Sequence, residues 1–128
     1  MGIFVDYPSN PFSNLANIPT TILATTTHPL QVNGLIVCNR GSEDIRFFLK
    51  KNRAQTSPVE IFYLNELEIK AYDTVDVVAL KGLQIFLEYE SSLPGPSKND
   101  SLICYTKGYT QKFDCEISYT RLNDLPLT

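Results

Sequence analysis

The chain has 128 residues, of which 43% are hydrophobic and 20% are charged, and its formal net charge is −3 at pH 7. This length fits one domain with a continuous core, and the composition excludes a disordered or coiled-coil chain. The basic residues are dispersed except for Lys50, Lys51 and Arg53, so the positive surface expected of a nucleic-acid-binding protein is missing. We therefore expect no nucleic-acid partner, and we interpret the short basic cluster as a solvated loop.

The first 18 residues form a proline-broken segment that is rich in large apolar side chains. Pro8 and Pro11, together with several asparagines, argue against a helix and against a long strand. We therefore predict an extended N-terminal arm, residues 1–18, followed by a single β-sandwich domain, residues 19–128. The arm either lies across its own domain or buries its apolar side chains on a neighbouring subunit. The candidate interface residues are Ile3, Phe4, Tyr7 and Phe12.

From residue 20 onward, short β-branched or aromatic runs are separated by turn residues, and strand periodicity is stronger than helical periodicity. The predicted strands cover residues 20–26, 34–39, 44–50, 59–64, 66–72, 74–80, 84–90, 101–107 and 112–120. Short strands without crossover helices indicate an all-β fold. We expect an antiparallel β-sandwich or jelly roll of about eight or nine short strands.

The segment "DIRFFLK", residues 44–50, alternates in the manner of a strand with one buried face. Its predicted core face holds Ile45, Phe47 and Leu49. The opposite face, which meets water or a partner, holds Arg46, Phe48 and Lys50. The preceding core strand joins it at "NRGSED", where Asn39 and Gly41 supply the turn.

The three cysteines are an odd set, which favours reduced core thiols over a disulfide framework. Residues 101–119 predict a hairpin in which Cys104 lies directly opposite Cys115 on the apolar face. Opposed cysteines can come close enough for a disulfide. We expect two packed thiols, because an odd cysteine count and cytoplasmic synthesis favour the reduced state.

The sequence holds no recognisable catalytic constellation. His28 is the only histidine and precedes Pro29 in a turn-like segment, and neither it nor the cysteines have the spacing of a zinc site. Asp73 and Asp76 could offer oxygen ligands to a hard cation, but a solvated turn is the favoured interpretation. We predict a non-enzymatic protein with no cofactor and no metal.

No stretch approaches the roughly 18 apolar residues that cross a bilayer, and the N-terminal segment lacks the pattern of a signal peptide. We therefore expect a chain that is made in the cytoplasm and has no membrane partner.

The order of the predicted strands and turns along the chain resembles that of small β-sandwich structural proteins of tailed bacteriophage particles. The resemblance is carried by "TTILATTTHPLQVNGLIVCNRGSEDIRFFLKK" and by "PVEIFYLNELEIKAYDTVDVVALKGLQIFLEYES". These contain a threonine-rich opening strand, an apolar strand ending near Asn39, and a later strand that leads into "GLQIFLEYE". Residues 81–83, Lys-Gly-Leu, depart from the family pattern, in which glycine and aspartate commonly precede that later strand.

The resemblance implies a virion protein that is synthesised in the host cytoplasm. It implies a capsid decoration or cement protein, or an accessory protein of the neck or tail, that binds the major capsid protein or other virion proteins. We expect it to work as a homo-oligomer or on a symmetric lattice. The alternative is a carbohydrate- or host-receptor-binding module, because jelly rolls also serve as lectin-like domains. That alternative would be favoured by an exposed row of tyrosines, for which the candidates are Tyr63, Tyr72, Tyr105 and Tyr109.

Overall fold

The computed structural model describes residues 9–53, 59–90, 92, 99–107 and 112–122. These ranges contain nine strands and one short helix. In chain order, the elements are β1 Ser9–Leu15, β2 Thr20–Ala24, β3 Leu30–Asn39, β4 Ile45–Arg53, β5 Val59–Ile69, β6 Thr74–Asp76, α1 Val77–Lys81, β7 Phe86–Leu87, β8 Ser101–Thr106 and β9 Phe113–Arg121. Within the described ranges, no helix is long and apolar enough to cross a membrane.

The strands form two antiparallel sheets, which we call sheet A and sheet B. Sheet A has five strands in the order β1-β9-β3-β6, and β7 also pairs with β3. Sheet B has four strands in the order β2-β8-β4-β5. The fold is therefore an antiparallel β-sandwich, and the predicted fold class is confirmed.

The inward side chains of both sheets meet in one core. Phe47 of β4 and Phe113 of β9 are fully buried, and their rings meet edge to face with centroids 5.6 Å apart. Ile45 and Leu49, which flank Phe47 on β4, are also buried, as the alternation predicts. An edge-to-face pair is the arrangement that aromatic quadrupoles favour, so this contact between the sheets adds to the burial of apolar area.

The basic cluster lies in β4, so its interpretation as a solvated loop is wrong. Lys50 points outward, whereas Lys51 is only 6% exposed and points into the sandwich. The Lys51 Nζ donates to the backbone carbonyl of Phe86 in β7 at 2.8 Å and lies 5.9 Å from the centroid of the Tyr63 ring. Because β4 belongs to sheet B and β7 to sheet A, this lysine links the two sheets.

The predicted strand at residues 74–80 is wrong after its third residue, where α1 begins. The carboxylate of Asp76 accepts the backbone N–H groups of Val78 and Ala79 at 3.1 and 3.3 Å. It also accepts the N–H of Leu35 in β3 at 3.2 Å. An aspartate N-cap satisfies helix donors that would otherwise lack a partner, so Asp76 both ends the strand and starts the helix.

The segments 59–64 and 66–72 were predicted as separate strands, but most of their length forms the single strand β5, which ends at Ile69. The register of β5 against β4 shifts twice, between Phe47 and Leu49 and between Leu49 and Lys50. Glu66 has a φ of 60°, which is unusual for a residue other than glycine. Bulges of this kind let one strand continue across a break in the alternation.

Residues Ser9–Leu15 form β1 at the edge of sheet A, where the sequence predicted an arm without a long strand. Pro11 lies opposite Glu116 of β9. Proline is tolerated on an edge strand because one side of that strand has no neighbour. The structure therefore pairs the second half of the predicted arm with β9 of its own chain.

The predicted hairpin between residues 101 and 119 is wrong. β8 belongs to sheet B and pairs with β2 and β4, whereas β9 belongs to sheet A and pairs with β1 and β3. Cys104 and Cys115 are nevertheless both buried, and they face the core from opposite sheets. All three cysteines are free thiols. Alternation identifies the buried face of each strand correctly, but it does not identify the neighbouring strand.

The turn at "NRGSED" uses the predicted residues, although it connects sheet A to sheet B. The fully buried Asn39 ends β3, and its Oδ1 accepts the N–H of Gly41 at 3.0 Å. Its Nδ2 donates to the carbonyl of Glu43 at 2.8 Å and to those of Ile69 and Lys70 at 3.2 Å. One side chain thus holds this turn against the end of β5.

Candidate functional site

The outer face of sheet B carries aromatic side chains at positions where an exposed strand face is normally polar. On β4, Phe48 lies opposite Tyr105 of β8. Lys50, two residues further along, lies opposite Ile103 of β8 and Phe62 of β5. We call this set of five residues, Phe48, Lys50, Phe62, Ile103 and Tyr105, the aromatic face.

The aromatic face is held in place by contacts within the chain. The rings of Phe48 and Tyr105 stack with centroids 4.7 Å apart and planes within 5°. Lys50 Nζ lies 5.8 Å from the centroids of both Phe62 and Tyr105, and it donates to the Glu60 carboxylate at 2.8 Å. Cross-strand aromatic pairs contribute about 0.2–1 kcal/mol each. The face is therefore ordered before any partner binds.

The apolar centre of this face remains accessible. Phe62 is 46% exposed, and Phe48, Ile103 and Tyr105 are half-buried. An apolar centre with a polar rim is the usual anatomy of a protein–protein interface.

Ion pairs form the rim of the aromatic face. The Glu66 carboxylate lies 3.2 Å from Lys107 Nζ and 3.8 Å from Arg46 Nη1. These groups are solvent-exposed, and exposed pairs contribute at most about 1 kcal/mol each. Their main effect is to neutralise the cations of this face.

A second group of exposed charges continues the rim at the end of β5. Hydrogen bonding from the backbone N–H of Ala71 lowers the pKa of Asp44, and the charge of Lys70 lowers it further. The hydrogen bond and the charge of Glu68 raise the pKa of Lys70. Both residues therefore stay ionised at neutral pH, and Lys70 Nζ lies 3.3 Å from Glu68 and 3.6 Å from Asp44.

The outer face of sheet A has a different character. A shallow groove of about 430 Å³ crosses β1, β3 and β9. It is lined by Pro11, Phe12, Ser13, Ile36, Cys38, Asp114, Cys115 and Glu116. Arg40 pairs with Asp114 at 3.1 Å, and Ile36 is 43% exposed. The groove thus combines a mostly apolar lining with two carboxylates.

Three of the four predicted interface residues, Ile3, Phe4 and Tyr7, lie outside the described residues. Phe12 lies on β1 opposite Cys115 and packs, half-buried, against the core of its own chain. The interface role of these four residues stays a prediction.

The described candidate tyrosines do not form one exposed row. Tyr63 packs, half-buried, against the core, while Tyr105 lies on the aromatic face with Phe48 covering one side of its ring. Tyr72 is 71% exposed in the turn after β5, and Tyr109 lies outside the described residues.

The polar candidates from the sequence have structural partners. The Asp73 carboxylate accepts the N–H of Thr74 at 2.9 Å, and Asp76 caps α1. His28 Nδ1 lies 2.8 Å from the hydroxyl oxygen of Thr27. Across the described parts of the chain, no group of three or more histidine, cysteine or acidic residues is arranged to hold a metal ion.

Sequence reasoning found part of the aromatic face. The alternation in β4 predicted Phe48 and Lys50 on the outer face, and the buried position predicted for Cys104 implies that its neighbours Ile103 and Tyr105 face outward. Alternation did not identify β4 and β8 as neighbours, because the sequence predicted β9 as the neighbour of β8. The outward position of Phe62 was missed, although Phe62 lies two residues after Glu60 on a predicted strand and residues two apart share a face.

No protein-family profile and no curated protein sequence matches the chain. Among solved structures, the fold is similar to that of a chain in the structure of infectious bursal disease virus Gx strain, with a TM-score of 0.51 and 9% sequence identity. The superposition covers 97% of this chain and 33% of that chain, so this chain spans about a third of the length of its structural neighbour. At this identity the similarity shows a shared β-sandwich fold.

Proposed function

We propose that the chain is a structural protein of a virus particle and acts through protein–protein assembly. The observation that carries the proposal is the similarity of almost the whole fold to part of a chain from a virus structure. The resemblance of the strand order to bacteriophage particle proteins supports the same class of function. The aromatic face adds an ordered apolar surface of the kind that protein partners cover.

Within that class, we propose a capsid decoration or cement protein of a tailed bacteriophage. An accessory protein of the neck or tail is the second candidate. A decoration protein needs a compact domain with a docking surface and needs no reaction chemistry. Symmetric particles present the same docking site many times, so a contact of modest area can be repeated over the whole surface.

The proposal is tested with particles from the virus that encodes the chain. Particles are purified through two successive density gradients and washed at high ionic strength, and the chain is then detected by immunoblotting. We expect the chain to band with the particles after the wash, because an apolar contact is not weakened by salt. A chain found only in the soluble fraction would exclude a stable structural role.

A deletion virus separates cement from passive attachment. Particles assembled without the chain should release their genome at a lower temperature than complete particles, and added purified chain should restore the original temperature. Particles of unchanged thermal stability, with the chain present in the wild type, would support a neck or tail position instead of a cement role.

A further inference from the structure

The aromatic face and its rim carry no net charge, although the chain as a whole is acidic. Four cations and four carboxylates of this surface pair with one another. They are Arg46, Lys50, Lys70 and Lys107, with Asp44, Glu60, Glu66 and Glu68. The formal net charge of −3 therefore resides on the rest of the molecule.

The outer face of sheet A carries part of that excess negative charge. Glu116 and Asp114 line its groove, Asp76 ends the edge strand β6, and Asp73 immediately precedes that strand. Arg40 pairs with Asp114. Two copies of the chain that met through these acidic faces would repel each other, whereas two copies that met through their neutral aromatic faces would not.

We propose that a second copy of the chain covers the aromatic face, so that sheet B of one copy packs against sheet B of the other. The same patch is used twice, as in an isologous twofold dimer. Phe62 and Ile103 of each copy then leave water together, and the two acidic faces point away from each other. The rim ion pairs remain satisfied within each copy, so dimerisation does not need charges to be exchanged.

The area of the face fits a reversible dimer. β4 has nine residues, which span roughly 30 Å, and four strands span roughly 20 Å. Because β2 has five residues and β8 has six, the usable face is smaller, roughly 500 Å² per copy and 1,000 Å² in total. This lies at the lower limit for a specific interface, where weak and transient contacts are found, so we expect a reversible dimer that forms at high protein concentration.

The outer edge of β5, which is the last of the described strands of sheet B, is a less suitable contact than the face. Its two register shifts twist the strand, and its outward carboxylates include Glu60 and Glu68. Bulges and charges are the features by which proteins block pairing between edge strands. The second copy is therefore expected to pack on the face and not to extend the sheet.

The inference does not depend on the virion role, because it concerns the purified chain alone. Sedimentation velocity is measured from about 10 μM to about 1 mM for the wild type, Phe62→Lys and Ile36→Lys. Phe62 and Ile36 are 46% and 43% exposed, so the two substitutions are matched in exposure but lie on opposite outer faces. We expect wild type and Ile36→Lys to dimerise with rising concentration, and Phe62→Lys to bind at least about tenfold more weakly.

Two further measurements keep the test decisive if Phe62→Lys is poorly folded. Amide NMR signals of the wild type should shift with concentration at the aromatic face and stay constant on the outer face of sheet A. Added salt should leave the affinity unchanged or increase it, because no ion pairs form across the interface. A wild type that stays monomeric up to about 1 mM, or an Ile36→Lys variant that is as impaired as Phe62→Lys, would overturn the proposal.

Discussion

Replacing Asn39 by alanine tests the claim that one buried side chain holds the turn after β3. Asn39 is fully buried and donates to three carbonyl groups, those of Glu43, Ile69 and Lys70. It also accepts the N–H of Gly41 at 3.0 Å. Asn39→Ala removes all four contacts and provides no replacement partner.

The expected loss in the free energy of unfolding depends on which hydrogen-bond partners of Asn39 can reach water after the substitution. The bond to Ile69 is buried, so its loss carries most of the cost of about 1–3 kcal/mol for an unpaired buried group. Because the amide has only two N–H groups for three carbonyls, the bonds to Glu43 and Lys70 count together as one; that contact and the bond from Gly41 are partly buried and contribute about 0.5–1 kcal/mol each. We therefore expect Asn39→Ala to lower the free energy of unfolding by about 3 kcal/mol.

Urea unfolding followed by circular dichroism measures this loss, and a shift of the midpoint by about 1–2 M is expected. Asn33→Ala is the matched control, because Asn33 is exposed and makes a single side-chain bond to Thr120, so it should lose less than about 1 kcal/mol. Asn39→Asp keeps the acceptor for Gly41 but turns a carboxylate toward three carbonyls, so it should be at least as unstable as Asn39→Ala at pH 7. Equal stabilities of Asn39→Ala and Asn33→Ala would refute the reasoning.

Lys51→Ala should lower the free energy of unfolding by about 2–3 kcal/mol. Lys51→Met should stay within about 1 kcal/mol of wild type, because methionine restores the buried apolar volume and loses only the two contacts of the ammonium, with the Phe86 carbonyl and the Tyr63 ring. Thermal unfolding that ranks the two variants equally would contradict this. Tyr72→Gly should raise the free energy of unfolding by about 0.5–1 kcal/mol, because Tyr72 has a φ of 61°, in the left-handed region that favours glycine, and its side chain is 71% exposed. A lower melting temperature for Tyr72→Gly would show that the ring has a packing role. Iodoacetamide should label Cys38 before Cys104. The hydrogen bond with Cys115 and burial together raise the pKa of Cys104 well above its ordinary value, so its reactive thiolate is rare. Mass spectrometry that finds Cys104 labelled first would be inconsistent with the contact between Cys104 and Cys115.

The sequence predicts the sandwich and its core because alternation is a local property. Ile45, Phe47 and Leu49 are buried where the pattern in β4 places them. Cys104 and Cys115 are buried for the same reason, although they lie on different sheets. Which strands become neighbours depends on packing between distant segments, and the pattern of a single strand carries no signal for that.

The remaining differences arise where tertiary contacts override local preference. The run at 74–80 is β-branched and reads as a strand, yet Asp76 finds three backbone donors and caps a helix there. Lys51 reads as a surface residue, yet it reaches a carbonyl on the opposite sheet. Phe62 joins the aromatic face only because β4 places Lys50 beside it. The partners of Lys51 and Phe62 lie on other strands and cannot be identified from neighbouring residues, whereas the Asp76 cap on Val78 and Ala79 is a local signal.

The copy number of the chain in purified virus particles tests the proposed function most directly. It is measured by quantitative mass spectrometry against isotope-labelled peptides of the chain and of the major capsid protein. A capsid decoration protein predicts on the order of hundreds of copies per particle, and a neck or tail ring predicts about a dozen. Particles of full infectivity that contain no copies of the chain would contradict a structural role in the virion.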